Sequence, residues 1–183
     1  MTGQGDIAAE AARIDALYRE RAAAELAAAD RLVKGSDVVG PSGDAPADVL
    51  VVKGVPGPED TAEKRALAGP DGDAIGKALD ALELSESRCG VCSRAGRAPA
   101  AASVRRLRLI VEAVDPRVVI ALDPQAAADL AAAFGIESFA PGRVTRVLGR
   151  DMLATDDFAA SLGDEHAKRR VWDQLRALRT PSD

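Results

Sequence analysis

Asp115-Pro116-Arg117-Val118-Val119-Ile120-Ala121-Leu122 is the stretch on which the fold turns. Pro116 disfavours helical backbone at Asp115 and so ends the segment before it. The run Val118 to Leu122 is apolar and β-branched, short enough for a strand, and lacks the alternation of a half-exposed one. It predicts the clearest strand in the chain. A helix follows from about Pro124 to Phe134, with proline in its first turn and Gly135 as its stop. A buried strand feeding a helix is the unit of a parallel, helix-covered sheet.

The same unit recurs outward in both directions. Upstream, Asp48-Val49-Leu50-Val51-Val52 reads as a second buried strand, and Lys53-Gly54-Val55-Pro56-Gly57-Pro58-Glu59-Asp60 is the loop at its carboxyl end, where open α/β sheets place ligands. Helices are predicted at about Asp73 to Leu84 and Ala101 to Val114, with a weak strand at Cys89 to Cys92 between them. Downstream, Arg143 to Leu148 and Met152 to Thr155 read as one or two short strands. Asp164 to Leu178 is an amphipathic helix burying Ala167, Val171, Trp172, Leu175 and Leu178. Before all of these, Asp6 to about Lys34 is an Ala-rich helix with Ile7, Ala11, Ile14, Tyr18 and Leu26 near one stripe, stopped by Gly35. The expectation is one α/β domain: residues 1–35 a helix packed on it, residues 36–183 its body, with no internal repeat.

Composition bounds the rest. The 183 residues are 47% hydrophobic, 29% charged and only 3% aromatic, so aliphatic Ala, Leu and Val must build the core. No apolar run approaches the roughly 20 residues that span a bilayer, and the polar first residues do not read as a signal peptide. Two cysteines are too few for a disulfide framework. Together these predict a cytoplasmic protein with no membrane partner. The net charge of −5 excludes a wholesale polyanion binder, although not one basic patch.

Three segments resemble, in order and spacing, the iron-sulfur type of uracil-DNA glycosylase: Ala47 to Val52 leading to Pro56-Gly57, Asp115 to Leu122, and Ala167-Lys168-Arg169-Arg170-Val171-Trp172. Arg65-Ala66-Leu67-Ala68-Gly69-Pro70 falls where that family has Arg-Pro-Phe-Val-Gly. The similarity covers about Arg31 to Leu178 and implies a three-layer α/β/α sandwich around a short, mostly parallel sheet. It also implies a pocket formed by Lys53, Gly54, Pro56, Gly57, Leu67, Cys89 and Asp157.

The same comparison removes the family's chemistry. Where the family loop reads Gly-Glu-Ala-Pro-Gly, this chain has Lys53-Gly54-Val55-Pro56-Gly57, so Gly54 stands for the carboxylate. Leu67 stands for the phenylalanine that stacks on the flipped base, and the uracil-reading asparagine falls near Cys89. The His-Pro-Ser motif falls on Asp157-Phe158-Ala159. Ser93 and approximately Ser103 occupy expected cluster positions, so no iron-sulfur cluster and no other cofactor is expected.

Four acids remain as catalytic candidates: Glu59 and Asp60 after the first loop, and Asp156 and Asp157 near the last strand. They either converge as a general base or metal site, or are solvated turn and capping residues. Cys89-Gly90-Val91-Cys92 has dithiol spacing, but a loop rather than a helix follows it, so plain buried or loop thiols are the competing reading. With His166 alone they fall short of a zinc site. Six arginines, Arg88, Arg94, Arg97, Arg105, Arg106 and Arg108, lie between Glu86 and Glu112 with no acid among them. They form either a phosphate-binding stripe or a solvated basic face. The functional expectation is a glycosylase-like protein without glycosylase catalysis, serving as a binding or accessory module for nucleic acid or a partner protein. A divergent DNA glycosylase or hydrolase with a reassigned acidic pocket, and a thiol-redox protein using Cys89 and Cys92, are the alternatives.

Overall fold

The computed structural model describes residues 3–35, 37–84 and 87–179. Four parallel strands form the middle of a six-stranded sheet: β2 (Val49–Lys53), β3 (Arg88–Cys92), β4 (Val118–Ala121) and β6 (Arg150–Ala154). Two antiparallel edge strands, β1 (Ser42–Gly43) and β5 (Val144–Val147), complete the order β1-β3-β2-β4-β6-β5. The chain is α/β, with helices on both faces of a mixed sheet.

Alternation along the strands assigns the two faces. Leu50, Val52, Cys89, Val91, Val119, Ala121, Met152 and Ala154 point to one side. There they meet α1 (Gly3–Asp30), α4 (Ala100–Val114) and α5 (Pro124–Phe134). Val49, Val51, Ile120, Leu122 and Leu153 point to the other, against α3 (Pro70–Ala81), α6 (Phe158–Ser161) and α7 (Glu165–Arg176). Each Leu or Val fully buried in this way contributes roughly 1.5–3 kcal/mol, which is how a core so poor in aromatic residues holds.

The expected elements are present with small shifts at their ends, and three others were not anticipated. The two-residue β1 is too short to carry a periodicity. α2 (Pro58–Glu63) lies in the stretch read as an acidic turn, and α6 is a single turn begun by the Asp157 side chain. β5 and β6 form a hairpin whose turn residues, Leu148 (φ 49) and Gly149 (φ 83), both take the left-handed backbone of a type I′ turn. Packing of α1 on the body is confined to its last two turns, where Ala22 and Ala29 are buried and Leu26 packs on the core. Residues 6–21 are exposed throughout.

The strand order places the catalytically interesting end. The chain steps from β2 to β3 on one side, then crosses back to β4 on the other. The loops after β2 and β4 therefore leave the sheet in opposite directions, and the crevice between them is where such sheets bind ligands. No helix among the described residues is long and apolar enough to cross a membrane.

Candidate functional site

At the carboxyl end of β2 the chain places a lysine whose side chain is largely buried. Lys53 Nζ lies 2.7 Å from Asp60 Oδ2 and 2.7 Å from Asp71 Oδ2, and only 14% of the lysine side chain is exposed. Asp60 is held further by the Gly57 amide at 2.7 Å and the Ala68 amide at 2.8 Å. Burial by itself would raise the Asp60 pKa. The Lys53 ammonium and the two amides outweigh it and hold the carboxyl below its ordinary value. Burial likewise opposes the charge on Lys53, and hydrogen bonds to Asp60 and Asp71 overcome it, leaving the ammonium above its usual range. Asp60 therefore accepts three hydrogen bonds as the anchor of a buried ion cluster, which corrects its reading as a solvated turn.

The next residue closes the crevice. The Gly54 amide donates to Asp123 Oδ2 at 2.7 Å, while Asp123 Oδ1 caps α5 by accepting from the Ala126 amide at 2.8 Å. Ser93 N–H donates to the Lys53 carbonyl at 2.7 Å, and Arg94 N–H to the Gly54 carbonyl at 2.9 Å. Below them the buried Asp129 accepts from Ser93 Oγ (2.6 Å), Arg94 Nε (2.8 Å), Arg94 Nη2 (2.5 Å) and Gln125 Nε2 (3.0 Å). These bonds tie the ends of β2 and β3 to α5. What remains open is a crevice of about 430 Å³ lined by Val39, Val55, Pro56, Arg94 and Gln125, among others.

The other acids do not join this cluster. Glu59 is exposed at the start of α2. Asp156 exchanges hydrogen bonds with Gln174, its amide donating to Oε1 at 2.9 Å and Gln174 Nε2 donating to its Oδ2 at 3.0 Å, and Arg170 lies 3.5 Å away. Asp157 is exposed and accepts from the Ala160 amide as the cap of α6. The partners of Asp60 and of Asp156 have no residue in common. Among the described residues no group of three or more His, Cys, Asp or Glu is placed to hold a metal ion. Of the two readings of these acids, solvated or capping residues is the one that fits Glu59 and Asp157.

The expected pocket also divides. Lys53 and Gly57 belong to the ion cluster and Pro56 to the crevice. Leu67 and Cys89 line a separate cavity of about 140 Å³ beside Gly90. Leu67 holds left-handed backbone (φ 56), and its side chain packs so closely over Gly90 that a Cβ there would meet Leu67 Cδ1 at 2.6 Å.

The arginine stripe is dispersed by the helix that carries half of it. Arg106 is buried, its Nε on Asp30 at 2.8 Å and its Nη1 on the Cys92 carbonyl at 2.9 Å, so it cannot reach a phosphate. Arg94 is spent on Asp129. Arg88 pairs with Asp80 and donates to the carbonyls of Leu84 and Gly76. Arg108 stacks 4.3 Å over Phe134 and bonds Glu112 and the Ala133 carbonyl. Arg97 and Arg105 stay exposed. A run of arginines without intervening acids is read correctly as basic in sequence, but its acids arrive from α1, α3 and α5.

Cys89 and Cys92 stand three residues apart on β3 and so face opposite sides of the sheet. Cys89 packs with Leu50 and Val91's cluster, Cys92 with Val39 and Ala66. Burial pushes both thiols up to about 12, helped at Cys89 by the charge of Asp44 and at Cys92 by that of Asp60. Of the two readings of these cysteines, plain buried thiols is the one the structure shows. At pH 8 only about one thiol in ten thousand is then a thiolate. The native protein should resist alkylation by iodoacetamide at that pH and take up two labels once denatured, as read by intact mass. Rapid labelling of the native state would refute the buried-thiol assignment. His166 is exposed, as its polar helix face predicts.

No protein-family model matches the sequence, and no curated protein matches it either. The site is therefore read on its geometry.

Asp71, Asp123 and Asp129 were not singled out from the sequence. Two of them carried a signal. Asp123 directly precedes a proline-started helix, the place of a capping acid, and Asp129 is the one charged residue in Pro124–Phe134. Asp71 carried none, because its partner Lys53 is remote in sequence.

Proposed function

We propose that this protein is a uracil-DNA glycosylase-like α/β domain that does not excise bases and acts as a binding module for a protein partner. The observation that carries the reading is the Lys53 clamp. At the carboxyl end of the central strand, where a glycosylase needs a free carboxylate and room for a base, this chain holds an ammonium between two carboxylates. Gly54, at the acid position, is shut against Asp123.

The leaving-group side supports the same conclusion. Cleaving the glycosidic bond puts negative charge on the departing base, and catalysis requires a donor there. At the position the resemblance gives to histidine stands Asp157, an exposed aspartate. An anion at 4 Å from a developing anion costs about 4 kcal/mol at an effective dielectric near 20, about a thousandfold in rate. A protein partner is favoured over nucleic acid because only Arg97 and Arg105 of the stripe stay exposed.

The test incubates the protein with single- and double-stranded uracil-containing DNA, then cleaves abasic sites. No product above the no-enzyme control is expected. Robust excision, abolished by Asp157→Ala, would sink the proposal. In parallel, DNA binding is measured at two salt concentrations. Tight binding that falls steeply with salt and is lost in Arg97→Ala/Arg105→Ala would make the partner nucleic acid instead.

A further inference from the structure

The unpartnered surface of this molecule is concentrated on one element. Ile7, Ile14, Leu17 and Tyr18 of α1 are 71%, 43%, 56% and 57% exposed. Residues 6–21, all but free of the body, extend roughly 24 Å at 1.5 Å per residue. A helix of this length is marginal in water on its own, and its stability normally comes from packing of an apolar face. Here the face exists and is used only in part. Ile7, Ala11, Ile14 and Tyr18 recur at spacings of four and three, and the row continues through Ala22, Leu26 and Ala29 into the interface with α4. The exposed stripe is thus the outward continuation of a stripe that is buried at its other end.

We infer that this overhang pairs with the same segment of a second copy of the chain, antiparallel and about a two-fold axis near the peptide between Ala12 and Arg13. The inference adds to the proposed binding role by naming the partner. Three features favour this occupant. First, the stripe is self-complementary in that sense. Ile7 comes level with the second copy's Tyr18, and Ala11 with its Ile14, so bulky residues meet and the central layers set large against small. Second, Ala11, the small residue of the stripe, stands next to the axis and leaves room there for the second copy's Ile14. Third, one flank of the stripe runs Asp6, Glu10, Arg13, Arg21, acids first and bases last. Antiparallel pairing lays that flank on its own copy reversed, bringing Asp6 toward the second copy's Arg21 and Glu10 toward its Arg13, in addition to the pairs that Arg13 makes with Glu10 at 3.7 Å and Arg21 with Glu25 at 2.8 Å in their own helix. Exposed charges of this kind set register and orientation more than affinity.

The base of the overhang offers a seat for the end of the incoming helix. A groove of about 330 Å³ lies between α1 and the body, lined by Tyr18, Arg21 and Ala22 on the helix and by Pro46, Ala47 and Asp115 opposite. The second copy's Ile7 arrives at this level, against Tyr18 and beside Pro46. An isologous pair of this kind closes on itself and leaves no stripe exposed for further growth.

Sedimentation velocity over a concentration series, from low micromolar upward, reads the association directly. The expected result is a concentration-dependent doubling of the 18.9 kDa monomer mass. Ile7→Glu/Ile14→Glu should remain monomeric throughout, with an unchanged thermal midpoint at low concentration because both residues are exposed and lie outside that groove and the buried core. The arrangement is read by mixing Ile7→Cys with Tyr18→Cys under oxidation. Antiparallel pairing yields a disulfide between the two variants and little within either alone, while the buried native thiols stay silent. A wild-type protein that sediments as a monomer at every concentration overturns the inference and leaves the face to a different protein. A dimer indifferent to the glutamate pair, or one in which Ile7→Cys crosslinks to itself, overturns it as well. The outcome is separable from the excision assay: a monomer without excision refutes only the pairing, and a dimer that excises uracil refutes only the proposed loss of catalysis.

Discussion

Replacing Lys53 by methionine should cost the protein about 3–5 kcal/mol of stability at neutral pH, the typical penalty for removing one partner of a buried ion pair. The size follows from what is left behind. Asp60 and Asp71 have side chains only 1% and 8% exposed, and without the ammonium two carboxylates share a dry site. Methionine keeps the length and the methylene packing, so the change isolates the charge. Urea denaturation of the two proteins measures the difference. The effect has a definite pH window. Asp60 is held below its ordinary value, so the clamp's contribution is complete above the unfolded carboxylate range of about 4 and is lost as pH falls through the folded value. Lys53 is held above its ordinary value, so the contribution persists to about 10.5 and disappears only as pH rises through the folded one. The gap between wild type and Lys53→Met should therefore narrow in acid. Adding Asp60→Asn and Asp71→Asn to the methionine variant should recover part of the loss, since neutral amides tolerate each other where carboxylates do not. A loss within 1 kcal/mol at pH 7 would show that the cluster is wetter than its burial implies.

Placing an acid at this end of the sheet by Gly54→Glu should fail to create excision and should instead destabilise the fold by about 3–5 kcal/mol, combining overpacking with loss of a charge-assisted hydrogen bond. Any Cβ at this position would stand 2.5 Å from Asp123 Oδ1 and 2.7 Å from Gln125 Cβ. Neither neighbour is free to give way. Asp123 is fixed by capping α5, and Gln125 is bonded to Asp129. A glutamate would also set a second carboxylate against Asp123. The measurement is paired: thermal or urea melts for stability, and the abasic-site assay for activity. Excision by Gly54→Glu in a stably folded protein would mean that the crevice opens more readily than the Asp123 latch suggests.

Local pattern carried the architecture. Val118 to Leu122 and Val49 to Val52 are β-branched runs of strand length, and Pro124 with Gly135 brackets a helix. Nothing remote is needed to recognise either. The hairpin of β5 and β6 was legible as strands although its Leu148-Gly149 turn lacks the usual Asn-Gly or Asp-Gly signal. The site behaved differently. Asp60 read as a solvated acid because its neighbours Pro58, Glu59 and Thr61 are polar or turn-forming, yet it is buried by Lys53 and by the Ala68 amide. Arg106 read as one of six basic surface residues, yet it lies on the inner side of α4 with Asp30, 76 residues away, as its counterion.

The order of strands and helices and the aliphatic core were present in the linear chain. They depend on residue identity and on periodicities of two and 3.6, which are properties of neighbours. Which charges are buried, which acids meet which bases and which half of α1 finds a surface were settled only when the sheet brought β2, β3 and β4 side by side. An ion pair is a property of distance in space. Lys53 with Asp71, Gly54 with Asp123 and Arg94 with Asp129 span 18, 69 and 35 residues of chain. No local pattern encodes such pairings, because the desolvation that makes them matter exists only after the core has formed.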